Sequence, residues 1–211
     1  MSRLRLSEMG TPSTPSAGKV EIYASNDASP VVRAIDDGGN VRSLSDIFNF
    51  STVAQSIPAA SRTYITGSAI PIPASKLRVG TILRWRFNIT KTAAGTATST
   101  YDIAFGTLGT TGDTARVSFT KPAGTAVADE GWVEIIAVIR GPLSASGVVV
   151  GTLNMVHNLA ATGHATIPCV VVTTISSAFD VTIPTYAGIC LTSGASDAIT
   201  IQHVSAEALN L

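Results

Sequence analysis

Charge is what this sequence has least of. Only 13% of its 211 residues are Asp, Glu, Lys or Arg, about half the ~25% usual for globular domains. The 14 basic and 14 acidic side chains cancel to a formal net charge of zero, so no basic footprint marks a nucleic-acid partner. The scarcity is also uneven. No Lys or Arg follows Arg140, and no formally charged residue lies between Arg140 and Asp180. Asp180, Asp197 and Glu207 are the only later acids. Mean hydropathy is nevertheless +0.34. An apolar, weakly charged chain of this kind is expected to hide surface between copies of itself.

Long apolar runs are missing as well. No stretch of about 18 apolar residues occurs, so no membrane insertion is expected. The opening MSRLRLSEMG lacks the apolar core of a secretory leader. Cysteine is nearly absent: Cys169 and Cys190 sit in the strand-like runs PCVVV and GICL. Two buried thiols are expected there, because free Cys behaves as a small hydrophobe; a single disulfide between neighbouring strands stays open.

Catalytic and ligand-binding motifs are absent too. There is no nucleophile elbow, P-loop, dinucleotide fingerprint or CxxC. The three histidines, His157, His164 and His203, show no HxH or HExxH spacing, and metal ligands ordinarily come clustered. Asp129 and Glu130 are adjacent and, on a strand, point to opposite faces; Asp180 and Asp197 are far apart in sequence. No enzyme activity, cofactor or metal is expected.

What is present is alternation. In residues 81–89, TILRWRFNI, the apolar Leu83, Trp85, Phe87 and Ile89 alternate with Arg84, Arg86 and Asn88. Period two places the large side chains on one face of a strand. Their burial is worth several kcal/mol at roughly 25 cal/mol per Å², so this reads as a central strand. Arg84 and Arg86 share the opposite face and are candidates for surface or subunit contact, cross-strand pairing with Glu134, or a sugar site built with Trp. His157 and His164 flank a loop and are read as surface or subunit contacts of the same kind. Strands are expected at residues 62–66, 69–72, 81–90, 98–106, 114–120, 131–140, 147–158, 167–175, 178–183, 187–192 and 198–204. They are punctuated by Gly, Thr, Ser and Pro clusters. No helical period and no repeat is visible. The fold class is all-β: a jelly-roll-like antiparallel β-sandwich over residues 61–211.

Upstream, residues 1–18 are rich in Ser, Thr, Pro and Gly, and read as an extended arm. Residues 19–44 read as a small hairpin or meander turned by DDGGN. Residues 1–50 form the arm and hairpin, and 51–60 a linker, with Ser45 capping a short helix in 45–58. So small a piece cannot bury a core of its own.

Here TPSTPSAGKVEIYAS followed by VVRAIDDGGNVRSL resembles a short N-terminal module of structural proteins of tailed bacteriophages. LRWRFNITKTAAGTATSTYDIAFGTLGTTGDTARVSF and VVVGTLNMVHNLAATGHATIP resemble the Thr/Ala/Gly-rich surface domains of such particles. The resemblance implies a non-enzymatic virion component, assembled in the bacterial cytoplasm. It would be a homotrimeric capsid decoration or head fibre, docked on other virion proteins of capsid or tail through its arm. Lys19, Val20, Ile22, Tyr23, Val31, Ile35 and Leu44 would then carry the anchoring. The alternatives are a short tail-fibre or receptor-binding protein, whose partner would be a host-surface glycan, and a carbohydrate-binding module.

Overall fold

The structure, a computed structural model, describes residues 8–25, 32–39, 41–43, 47–194 and 199–211. Among them every regular element is a β-strand. The chain divides into two compact units, Met1–Asp46 with Asn210–Leu211, and Ile47–Leu209.

The first unit is a four-stranded sheet in the order β1 (Glu8–Met9), β2 (Val20–Ser25), β3 (Val32–Asp36), β4 (Val41–Ser43). β1 runs parallel to β2, and the rest is an antiparallel meander. The turn before β2 is tied to the turn after β3: the Gly18 amide donates to Asp37 Oδ2 at 2.6 Å.

The second unit is two facing sheets. One has the order β14 (Cys169–Ile175), β13 (Val149–His157), β12 (Asp129–Ile139), β9 (Ile82–Lys91), β16 (Ile199–Leu209), β5 (Ile47–Ser51), with β6 (Gln55–Ile57) also on β16. The other has the order β11 (Thr114–Lys121), β10 (Ser99–Gly106), β15 (Thr185–Thr192), β7 (Arg62–Tyr64), with β8 (Ile70–Ile72) also on β15. Every pairing in this unit is antiparallel. None of the sheets closes on itself into a barrel among the described residues.

β9 lies between β12 and β16, near the middle of its sheet. Leu83, Trp85, Phe87 and Ile89 are completely buried on its inner face. Phe87 stacks on Tyr101 of the opposite sheet, with ring centroids 6.1 Å apart. The buried Trp85 indole keeps its hydrogen bond, donating from Nε1 to the Ser68 carbonyl at 2.7 Å. Gly151 of β13 shows how closely the sheets interlock: a Cβ there would come within 2.8 Å of the Phe119 ring and 2.9 Å of a Val117 methyl.

Three local expectations differ from the structure. Of residues 45–58, read as a capped helix and linker, Ser45 lies outside the described residues, and 47–58 hold two strands laid along β16, which pairs Val204–Ala208 with β5 and Ile199–Ile201 with β6. The apolar spacing of Ile47, Phe48 and Phe50 suits either state, and the partner strand decides it. Residues 178–183 are not a strand, apart from one bridge between Gly147 and Phe179. Asp180 Oδ1 accepts from both the amide and the hydroxyl of Thr182, at 2.8 and 2.6 Å, an Asx turn that competes with ladder bonding. Phe179 instead stacks on Phe105 at 4.3 Å. Finally, both cysteines are free thiols, Cys190 buried and Cys169 exposed on the edge strand β14.

Candidate functional site

The register of the N-terminal sheet sorts the residues expected to carry anchoring into two sets. β2 and β3 pair Glu21 with Ile35, Ile22 with Ala34, Tyr23 with Arg33 and Ala24 with Val32. Directly opposed residues share a face. Tyr23 and Ile35 therefore point one way, and both are buried, at 2% and 3% exposure. Val20, Ile22 and Val32 point the other way and are exposed, at 64%, 51% and 37%. Lys19, just before β2, is exposed. Val31 and Leu44 lie outside the described residues. Thus Tyr23 and Ile35 are buried, while Val20 and Ile22, joined by Val32, form an open apolar face. Val32 escapes a reading by sequence because only the cross-strand register places it beside Ile22. Being 64%, 51% and 37% exposed already, the three would contribute about half of the ~1.5–3 kcal/mol of a fully exposed side chain when covered, or roughly 1 kcal/mol each.

On the β-sandwich, Arg84 and Arg86 stand on the outer face of β9. Arg86 Nε donates to Glu134 Oε1 on β12 at 2.8 Å, and Arg84 Nε donates to Glu207 Oε1 on β16. Arg86 Nη1 also lies 3.9 Å from Glu207. Registers Arg86–Glu134 and Arg84–Glu207 make these directly opposed cross-strand pairs. The rung is self-neutralised and partly exposed, worth no more than about 1 kcal/mol per pair. The two tryptophans stand on opposite faces. Trp85 is sealed inside, whereas Trp132, opposite Asn88 and Val156, is half-buried on the outer side. No Trp85–Arg84 surface site therefore forms.

His157 and His164, read from sequence as surface or subunit contacts, are buried within the chain, at 6% and 0% exposure. Asp129, the first residue of β12, gathers them. Its Oδ2 lies 2.7 Å from His157 Nδ1 and accepts the His164 amide at 2.9 Å, while Oδ1 accepts the Glu130 amide at 2.9 Å. His157 Nε2 lies 2.6 Å from the Ile167 carbonyl. Lys121 Nζ donates to the carbonyls of Pro122 and His164. Lys91 Nζ donates to those of Thr92, Thr125 and Val127 at 3.1, 2.9 and 2.6 Å. Gly163 completes the fit: its φ is +88°, and a Cβ there would sit 2.0 Å from Asp129 Oδ2.

Electrostatics follow from this packing. Burial pushes the His164 ring down to about 4, with Lys121, His157 and Lys91 adding to the shift and Asp129 opposing it. Both ring nitrogens of His164 are buried without a hydrogen-bond partner, so the neutral ring is the one that fits. Burial would raise the Asp129 carboxyl, but the His164 and Glu130 amides and the His157 ring outweigh it and hold it below its ordinary value. A His–Asp pair is also the orienting half of a nucleophilic triad. Here, however, the far nitrogen of His157 is occupied by a carbonyl and the ring is enclosed. The cluster works as a latch on the β13–β14 connection. A cleft of about 290 Å³ beside it is lined by Lys91, Asp129, Glu130 and Asn158 among others, and Lys91 already donates to three carbonyls. Among the described residues, no group of three His, Cys, Asp or Glu converges to hold a metal ion. Nor is any helix long and apolar enough to cross a membrane.

A partly buried ion pair was also not visible in the sequence. Arg62 donates from Nε and Nη2 to the two carboxylate oxygens of Asp102, at 3.0 and 2.6 Å. Its Nη1 donates to the carbonyls of Thr111 and Asp113. Asp113 in turn accepts the amides of Leu108 and Gly109 at 3.0 and 2.7 Å. The loop 107–113 is thereby fastened over β10.

No protein-family model matches this chain, and no curated protein matches its sequence.

Proposed function

We propose that this chain is a non-enzymatic structural component of a tailed-phage virion. In this reading it is a homotrimeric capsid decoration or short head-fibre protein, its body an open jelly-roll-type sandwich and its anchor the N-terminal sheet. The observation that carries the reading is the exposed face of Val20, Ile22 and Val32. A unit this small buries little surface of its own, and this one spends apolar residues on its outer side, as a docking module does. Charge scarcity after Arg140 supports self-association. The jelly-roll description rests on a chain that passes repeatedly between two antiparallel sheets.

The anchor is tested in the full chain. Ile22→Asp should leave the melting temperature unchanged and abolish attachment to particles lacking the native protein, scored by co-sedimentation. Attachment equal to wild type would remove the anchor assignment. Immunogold labelling of virions then separates head from tail, and so separates the decoration reading from its rival, a short tail fibre or receptor-binding protein. A carbohydrate-binding module is the weaker reading. It needs an aromatic platform open to a sugar, whereas Trp85 is sealed in the core and Trp132 is half-buried in a sheet.

A further inference from the structure

The β13–β14 connection, residues 158–168, is exposed or half-buried along most of its length. Three consecutive residues are the exception. Gly163, His164 and Ala165 are buried, so the connection is a surface loop held down by one short plug. The base of the loop is closed separately. The His157 amide donates to the Pro168 carbonyl at 3.3 Å, and the Asn158 amide to the Glu130 carbonyl at 2.9 Å. Neither bond involves the plug, so the plug can leave without parting β13 from β14.

The plug is held by its own main chain. The Thr125 amide donates to the Gly163 carbonyl at 2.9 Å, and the Gly163 amide to Thr125 Oγ1 at 2.7 Å. The His164 amide donates to Asp129 Oδ2, and Lys121 Nζ to the His164 carbonyl. The His164 side chain adds no hydrogen bond of its own, because neither ring nitrogen has a partner. The ring lies against Gly131, where a Cβ would come 3.4 Å from its Cδ2. It also stands edge-on to His157, with centroids 6.0 Å apart. The charged or titratable groups that face it are Lys91 of β9, Lys121 of β11, Asp129 of β12 and His157 of β13. A protonated ring would bury two N–H donors with nothing to receive them. The one carboxylate nearby already accepts the Glu130 and His164 amides and faces the His157 ring. Water would satisfy both donors at once.

We propose that this plug is an acid-operated latch: protonation of His164 drives residues 163–165 out of the sandwich, opening the loop while its base and both sheets stay in place. The latch is independent of the anchoring and self-association proposed above. Its sign follows from linkage. Burial, opposed by Asp129 and reinforced by Lys121, His157 and Lys91, holds the docked ring near 4 against an ordinary 6.5, so the proton favours the open loop. With an ordinary value in the open state, the opening equilibrium rises about a hundredfold between pH 7 and pH 4. Opening uncovers the Lys121 ammonium and the Asp129 carboxylate, both buried when the loop is closed.

The experiment is hydrogen exchange on the full chain, read by mass spectrometry from pH 7 to pH 4 and corrected for the intrinsic pH dependence of amide exchange. Peptides covering 121–127 and 158–168 are compared with peptides from β9 and β12, in wild type and His164→Leu. In wild type the loop peptides should lose protection about a hundredfold across the range, and exchange ahead of β9 and β12 at every pH. In His164→Leu their protection should stay nearly constant. Loop peptides exchanging in step with β9 and β12 would show that the plug leaves only when the sandwich unfolds, and would overturn the latch. A hundredfold loss persisting in His164→Leu would place the proton elsewhere and overturn it as well. If the variant loop is already unprotected at pH 7, leucine does not fit the site, and the His164 ring of wild type, titrated by NMR, decides. A ring titrating near 4 supports the latch, and one titrating near its ordinary 6.5 overturns it.

Discussion

β2 of the N-terminal sheet and β9 of the sandwich use the same alternation with different outer residues. In β9 the inward set is Leu83, Trp85, Phe87 and Ile89, and the outward set includes two arginines neutralised by Glu134 and Glu207. In β2 the inward residue is Tyr23, and the outward ones are Val20 and Ile22. β9 is complete within its unit: its apolar face has a second sheet over it and its polar face pairs with its neighbours. β2 is incomplete, because its outward side chains lose nothing polar when covered. The contrast is between a body that holds its own structure and a small sheet that, on the reading proposed above, a partner would complete.

Trp85→Ala tests the completeness of the body with the largest effect. Removing a fully buried indole with its hydrogen bond to Ser68 should cost about 3–5 kcal/mol, read by denaturant unfolding. An unchanged midpoint would show that the strand is peripheral.

The latch tests it through pH. The folded-state value of His164, about 4, lies below its ordinary 6.5. Protonation therefore favours the unfolded chain. The stability this neutral ring retains is fully present above pH 6.5 and declines as pH falls through 6.5 toward 4. The total is about 3 kcal/mol at ~1.4 kcal/mol per pH unit. Asp129, held below its ordinary value, adds a further loss only at still lower pH. His164→Leu should flatten the first decline, measured as melting temperature against pH. An unaltered slope would mean that the ring is not the titrating group.

Truncation sharpens the boundary between body and anchor. A chain beginning at Ile47 should melt within about 2 °C of the sandwich transition of the whole protein. One beginning at residue 59 loses β5 and β6 from β16 and should melt several degrees lower. The smallest effect is expected from Arg86→Ala. Its half-exposed pair with Glu134 should contribute under about 1 kcal/mol, and a larger loss in equilibrium unfolding would show that the outer rung is coupled to the core.

Most of the body could be read from the residues. The 81–90 strand shows itself because four apolar and three polar residues alternate without a break, and an arginine between two core positions tells the two faces apart. Residues 178–183 misled because Phe179, Val181 and Ile183 alternate correctly, yet Asp180 closes a local turn with Thr182. Residues 45–58 misled in the other direction, because their partner strand lies far along the chain. The candidate sites were least legible. His157 and Asp129 were each noticed separately, but only the β12–β13 pairing, with Gly131 opposite His157, brings them within 2.7 Å. The same holds for Arg62 and Asp102. Alternation reports which face a side chain takes, whereas charge pairing depends on long-range register.

The position of β16 has a consequence for biosynthesis. Its partners β6 and β9 end at Ile57 and Lys91, while β16 itself begins at Ile199. Roughly 140 residues therefore separate β6 from its mate. At ~5–20 residues per second, the ribosome delivers that mate on the order of ten seconds after β6 has emerged. From the emergence of Lys91 until that mate arrives, one side of β9 has an open hydrogen-bonding edge, in a nascent polypeptide with little charge to keep neighbouring polysomal copies apart. Yield in the cell should therefore depend on how fast codons 92–199 are read, and slowing them should send protein into the insoluble fraction without altering the thermodynamics of the finished fold.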